Sequence, residues 1–168
     1  MTDTTNTDSV MEAIALAVAD GCNGNIDAAR TRLLELWDEI GVAGDPLHRC
    51  SLAHYLADLH DDPAQSLMWD VRALDAAASL TDRRAQEHHA SLQVAGFYPS
   101  LYLNLADDFR CLGSFDAARD RLAAARQHSS ALPDDAYGNL IRTAVDEVAA
   151  AVEKRDTAPR ASAPSTGG

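Results

Sequence analysis

Tyr102-Leu103-Asn104-Leu105-Ala106-Asp107-Asp108-Phe109-Arg110-Cys111-Leu112-Gly113-Ser114-Phe115-Asp116-Ala117-Ala118 opens the stretch that decides the fold, and Leu122, Ala125 and Pro133 complete it. Leu105, Phe109 and Leu112 recur at helical spacing before Gly113, and Phe115, Ala118, Leu122 and Ala125 do so after it. One apolar helical face therefore ends at the glycine and a second begins just beyond. Ala106 and Ala118 are small where two antiparallel helices must approach closely. The spacing predicts a tight helical hairpin.

The same words occur earlier in the chain. Gly24-Asn25-Ile26-Asp27-Ala28-Ala29-Arg30-Thr31-Arg32-Leu33 aligns with Gly113-Ser114-Phe115-Asp116-Ala117-Ala118-Arg119-Asp120-Arg121-Leu122, both reading Gly-x-apolar-Asp-Ala-Ala-Arg-x-Arg-Leu. Each part has a physical use: Gly allows the turn, the apolar residue plugs the hairpin, Asp suits the first helical turn, and Ala lets backbones touch. An aromatic, Leu-Gly, an aromatic, then Ala, a bulky residue and Pro resembles the tetratricopeptide repeat (TPR). Tyr102 stands for the usual Trp, Ala106 for Gly and Leu122 for Phe; the earlier copy has Asp20 where an aromatic is expected. The resemblance implies an all-α, right-handed α-α superhelix of about three TPR-like helix pairs with a C-terminal capping helix.

Outward from the two copies, the remaining elements follow in order. Residues 1–8 are polar and read as disordered, with Asp8 or Ser9 able to cap a helix whose face carries Val10, Ile14, Ala17 and Val18. Ile26 to Ile40 forms its partner, ended by Gly41. A weaker middle copy has Pro46 opening a helix to about Asp58, a turn at His60-Asp61-Asp62-Pro63, and Ala64 to Leu80. Residues 81–100 break the pattern and form an insertion: a cap at Thr81-Asp82, a helix from Arg83 to Leu92, and a loop through Gly96-Phe97-Tyr98-Pro99-Ser100. Asp134 then starts a last helix with Tyr137, Leu140, Ile141, Ala144, Val145, Val148 and Val152 on its apolar face. The helical domain spans 9–155, and 156–168 reads as a disordered tail.

Composition limits what such a scaffold meets. There are 26 acidic and 14 basic residues, a net charge of −12, which disfavours nucleic acid and anionic membranes and favours basic partners. Cys22, Cys50 and Cys111 form no CxxC, so free thiols in a reducing, cytoplasmic setting are expected. The N-terminus lacks the basic and apolar regions of a signal peptide. The longest apolar run, Ala13 to Ala19, is far shorter than the roughly 20 residues of a membrane span, so no membrane insertion is expected.

In tetratricopeptide proteins the first helix of each pair lines a groove, and the resemblance places Leu103, Asn104, Asp107, Arg110 and Cys111 there, with Cys50, Ser51, His54 and Asp58 from the middle copy. It implies a non-catalytic adaptor that binds a protein or peptide, with Asn104 gripping peptide backbone. Phe97 and Tyr98 of the insertion are candidate specificity contacts. Two other readings stand beside this one. Cys50, His54 and Asp58 share a helix stripe at i, i+4 and i+8, which could hold a metal or activate Cys50. Self-assembly is the third, because a short array exposes an apolar end unless it is capped. Adjacent His88 and His89 diverge by about 100° on a helix and are poor co-ligands. Trp37 and Trp69 read as core. The chain has no P-loop, GxGxxG, HExxH, GxSxG or calcium loop, so no cofactor and no catalytic residue is assigned.

Overall fold

The computed structural model describes residues 8–89 and 92–160. Among them are eight α-helices, two short 3₁₀ turns and no strand: α1 (Ser9–Cys22), α2 (Ile26–Ile40), α3 (Pro46–Asp58), α4 (Pro63–Ala78), α5 (Asp82–His88), α6 (Tyr98–Cys111), α7 (Phe115–His128) and α8 (Ala136–Glu153). The expectation of an all-α chain is met.

Local chemistry sets the ends of these helices. Asp8 accepts from the Met11 amide, Asp45 from Leu47, Asp62 from Ala64 and Asp135 from Gly138, each satisfying an orphan donor of a first turn. Pro46 and Pro63 sit in the first turns of α3 and α4, where no amide donor is missed. Gly24 and Gly113, the paired glycines of the repeated decapeptide, both adopt positive φ, 94° and 76°. That conformation suits glycine and lets α2 and α7 fold back on α1 and α6. Both copies then repeat their contacts in detail. Ala29 and Ala118 are buried, Asp27 pairs with Arg30 and Asp116 with Arg119, and each arginine reaches the C-terminal end of the next helix. Arg30 donates to the Leu59 carbonyl just after α3, and Arg119 to Glu153 at the end of α8.

Neighbouring elements make the contacts. α1 meets α2 and α3, α2 meets α3, α3 meets α4, α4 meets α6, and α6 and α7 both meet α8. The apolar interior divides accordingly. Ile14, Leu33, Leu52, Leu56, Trp69 and Ala73 centre one cluster, and Leu103, Ala106, Ala118, Leu122, Val145 and Val148 the other. Trp37 and Trp69 meet edge to face at 5.1 Å, with the Arg49 and Arg72 guanidinium groups 4.0 and 4.4 Å from a ring centroid, a cation–π arrangement on the rim of the core.

The insertion departs from expectation in two ways. Its described helix is α5, ending at His88, with residues 90–91 of the expected 83–92 helix outside the described residues. The last part of what read as a loop to Ser100 already belongs to α6, which begins at Tyr98. Leu47, Leu80, Ala85 and Val94 form a small separate cluster beneath it. A polar knot fixes α5 from the other side: Arg84 donates to Asp8 at 2.8 Å and to Asp45 at 2.7 Å, while His48 lies 2.8 Å from Asp8. Burial alone would raise the Asp8 carboxyl, but hydrogen bonds from His48, Arg84 and Met11 hold it well below the usual range. No helix among the described residues is long and apolar enough to cross a membrane.

Candidate functional site

Helices α3, α6 and α8 border two adjoining clefts of about 350 Å³ each. The first lies among His54 and Asp58 of α3, Leu103 and Asn104 of α6, and Tyr137, Leu140, Ile141 and Glu147 of α8. The second lies among Leu47, Cys50, Ser51 and His54 of α3, with Met11, His88 and Phe97 across from them. His54, Ser100 and Tyr137 line both, so the pair reads as one trough crossing three helices. Its rim is apolar: Tyr137 is 47% and Leu140 63% exposed.

A polar chain runs inward from the trough. Nδ2 of Asn104 is 3.4 Å from Nδ1 of His54, and Asn104 also favours the charged form of Asp70 on α4. Asp70 in turn interacts with Asp108 on α6, beside Ser66. Asp70 and Asp108 are both buried, in the seam where α4 meets α6, and Asp70 Oδ1 and Asp108 Oδ2 have no hydrogen-bond partner among the described residues. Two carboxylates cannot satisfy one another; one must carry a proton. Burial first, then the negative charge of Asp108, raises the Asp70 carboxyl well above the usual range. Burial also pushes Asp108 up to about 6, against the lowering influence of Asp70 and Ser66. Of the two, Asp70 is the more strongly raised and so the one that holds its proton to higher pH. At the trough itself Asp58 keeps a solvent-facing edge, yet the crowding around it raises its carboxyl against the pull of His54.

The predicted site residues separate into two groups. Cys50, Ser51, His54, Asp58 and Asn104 do line the trough, and so does Phe97. Asp107, Arg110 and Cys111 do not line either cleft. Arg110 is fully buried. It donates to Asp107 at 2.8 Å, to the carbonyls of Asp156 and Ala158 at 2.6 and 2.8 Å, and to the Cys111 sulfur at 3.3 Å. A buried guanidinium with its donors so engaged cannot clamp an incoming ligand. Tyr98, expected on the surface of the insertion, stacks at 6.0 Å on Tyr102 and at 5.1 Å on His128, and is half-buried. The reading of 156–168 as a disordered tail also changes: 156–160 is bound by Arg110, with Arg160 lining the first cleft, while 161–168 lies outside the described residues, as does 1–7.

The stripe Cys50–His54–Asp58 gives little support to metal or thiol chemistry. Burial pushes the Cys50 thiol up to about 11, the opposite of an activated nucleophile. Among the described residues, no group of three or more His, Cys, Asp or Glu side chains is placed to hold a metal ion.

Sequence reasoning missed the α8 wall and the buried acids. The apolar periodicity puts Tyr137 and Leu140 on the face that α8 buries. Ile141, Ala144, Val145, Val148 and Val152 form that face, while Tyr137 and Leu140 are exposed and line the trough, Ile141 and Ala144 reaching its floor. The signal was two overlapping stripes on one helix. Asp70 also had a signal: Ser66, Asp70, Ala73 and Ala77 share one stripe, which places a carboxylate in line with core alanines. No family model, curated protein or solved structure matches the chain.

Proposed function

We propose that the chain is a non-catalytic, TPR-like adaptor whose trough over α3, α6 and α8 receives a peptide segment of a partner protein. Three features support the tetratricopeptide reading. The decapeptide repeat gives equivalent turns and equivalent ion pairs in α1–α2 and α6–α7. Elements touch mainly their neighbours in chain order. α8 follows α7 as α3 follows α2, with Arg119 and Arg30 making corresponding forward contacts. In a right-handed superhelix of such pairs, α3, α6 and α8 are the helices that line the inner wall.

The observation that carries the function is the trough itself, where half-exposed Tyr137 and largely exposed Leu140 stand beside His54, Asn104 and Asp58. Apolar walls with a few fixed polar groups are the usual make-up of a recognition cleft. The carboxylates of Asp58 and Glu147, and the net charge of −12, favour a partner of basic character. Selection from a displayed peptide library tests this directly. The wild-type chain should enrich a basic-apolar consensus, and Leu140→Glu, at an exposed position, should lose it with an unchanged circular dichroism spectrum. Enrichment that survives Leu140→Glu would place recognition elsewhere.

A further inference from the structure

The segment after α8 turns back along the protein instead of leaving it. Arg110 holds its backbone by the carbonyls of Asp156 and Ala158. Two residues on, the Arg160 guanidinium reaches Asp107 at 3.3 Å and Glu147 at 3.5 Å, while its side chain lines the first cleft beside Leu140 and Ile141. A short strip held by its main chain at one end and by a charged side chain at the other is how proteins grip extended peptides. The two holds are unequal. Arg110 is fully buried and its bonds to the strip are 2.6 and 2.8 Å. The Arg160 pairs are longer, 3.3 Å to largely buried Asp107 and 3.5 Å to Glu147, which is 43% exposed; the Glu147 pair is the kind that contributes least. The strip therefore has a fixed end and a releasable end, and the releasable end sits in the trough.

We propose that Asp107 and Glu147 form an arginine seat at the end of the trough, filled in cis by Arg160, and that a partner peptide binds by replacing Arg160 with its own arginine beside apolar residues. The chemistry fits the place. Of the residues lining that cleft, Arg160 is the one guanidinium; it pairs with Glu147, and Asp58 and apolar Leu103, Leu140 and Ile141 line the same cleft. A planar guanidinium can bridge two carboxylates that a point charge cannot match as well. The inference rests on the trough being the recognition surface, and it adds both the partner's side chain and a built-in competitor.

Fluorescence anisotropy on the full chain separates the two levels. The probes are a labelled octapeptide pool with arginine fixed at the centre among mixed Leu, Val and Ala, and the same pool with neutral citrulline in its place. Arg160→Ala should bind the arginine pool about fivefold or more tightly than wild type, since emptying an occupied seat removes a population tax. Glu147→Gln added to Arg160→Ala should cancel that gain, and the citrulline pool should show none of it. Equal binding of both pools, or no gain in Arg160→Ala, overturns the arginine seat and leaves peptide recognition standing. Binding of neither pool to any of the proteins removes both.

Discussion

Arg110 shows how far a single residue can be read. Its i, i+3 pairing with Asp107 is visible in the sequence, and the pair is present at 2.7 Å. Its burial is not visible, because the atoms that cover it belong to a segment of tail-like composition some 46 positions away, joined by the bond to Asp156. Arg110→Ala should destabilise the chain by about 3 kcal/mol, since the change strips Asp107 and two carbonyls of a buried partner. Hydrogen exchange checks the mechanism: amides near 156–160 should lose protection more than those of α2. Gly138 is a second such residue. A Cβ there would overlap the Pro133 carbonyl oxygen, so Gly138→Ala should cost roughly 1–3 kcal/mol in thermal unfolding. The cysteines provide a third check. Exposed Cys22 should react quickly with a thiol reagent in the native protein, and buried Cys50 only on unfolding.

Elements were the most legible level. The bounds of α2 and α3 follow from Gly41, Pro46 and the turn around His60, all local signals. α6 starts earlier than the reading of 96–100 as a loop allows: Tyr98 extends the Tyr102, Leu105 and Phe109 stripe by one turn, but the Gly96 and Pro99 on either side of it mask that signal. The seam of α4 and α6 carries the element-scale prediction. Asp70 and Asp108 have pKa values raised above the ordinary 3.8 in the folded chain. Their contribution is then fully favourable below about pH 4, where both are protonated folded or unfolded. It is lost as pH rises through about 6 for Asp108 and through the raised range of Asp70. Asp8 and Asp45 act in the opposite sense, since lowered values give stability that is lost as pH falls. Asp108→Asn should therefore raise stability at pH 8 by roughly 3 kcal/mol, from about 1.4 kcal/mol per pKa unit over the rise from 3.8 to about 6, and the gain should fade toward pH 4 in urea titrations. A gain that persists unchanged at pH 4 would assign the effect to packing.

At the scale of the molecule, neighbour-to-neighbour packing makes the trough. No single element owns it: α3 contributes His54, α6 Asn104, α8 Tyr137, and the C-terminal strip Arg160. That explains why sequence reasoning found the α3 and α6 walls and lost the third. Those two helices carry repeat copies whose register transfers from one to the other, while α8 has no copy to be aligned with. The acidic partition of the surface was plain from composition; the guanidinium lying within it was not. The central claim is that this trough receives a peptide, and a chemical-shift titration of the ¹⁵N-labelled full chain with the arginine-centred octapeptide pool tests it most directly. The account predicts movement of the Asn104, Leu140 and Glu147 amides with α2 and the outer face of α7 still. Shifts confined to those outer helices, or none at saturating peptide, would contradict it.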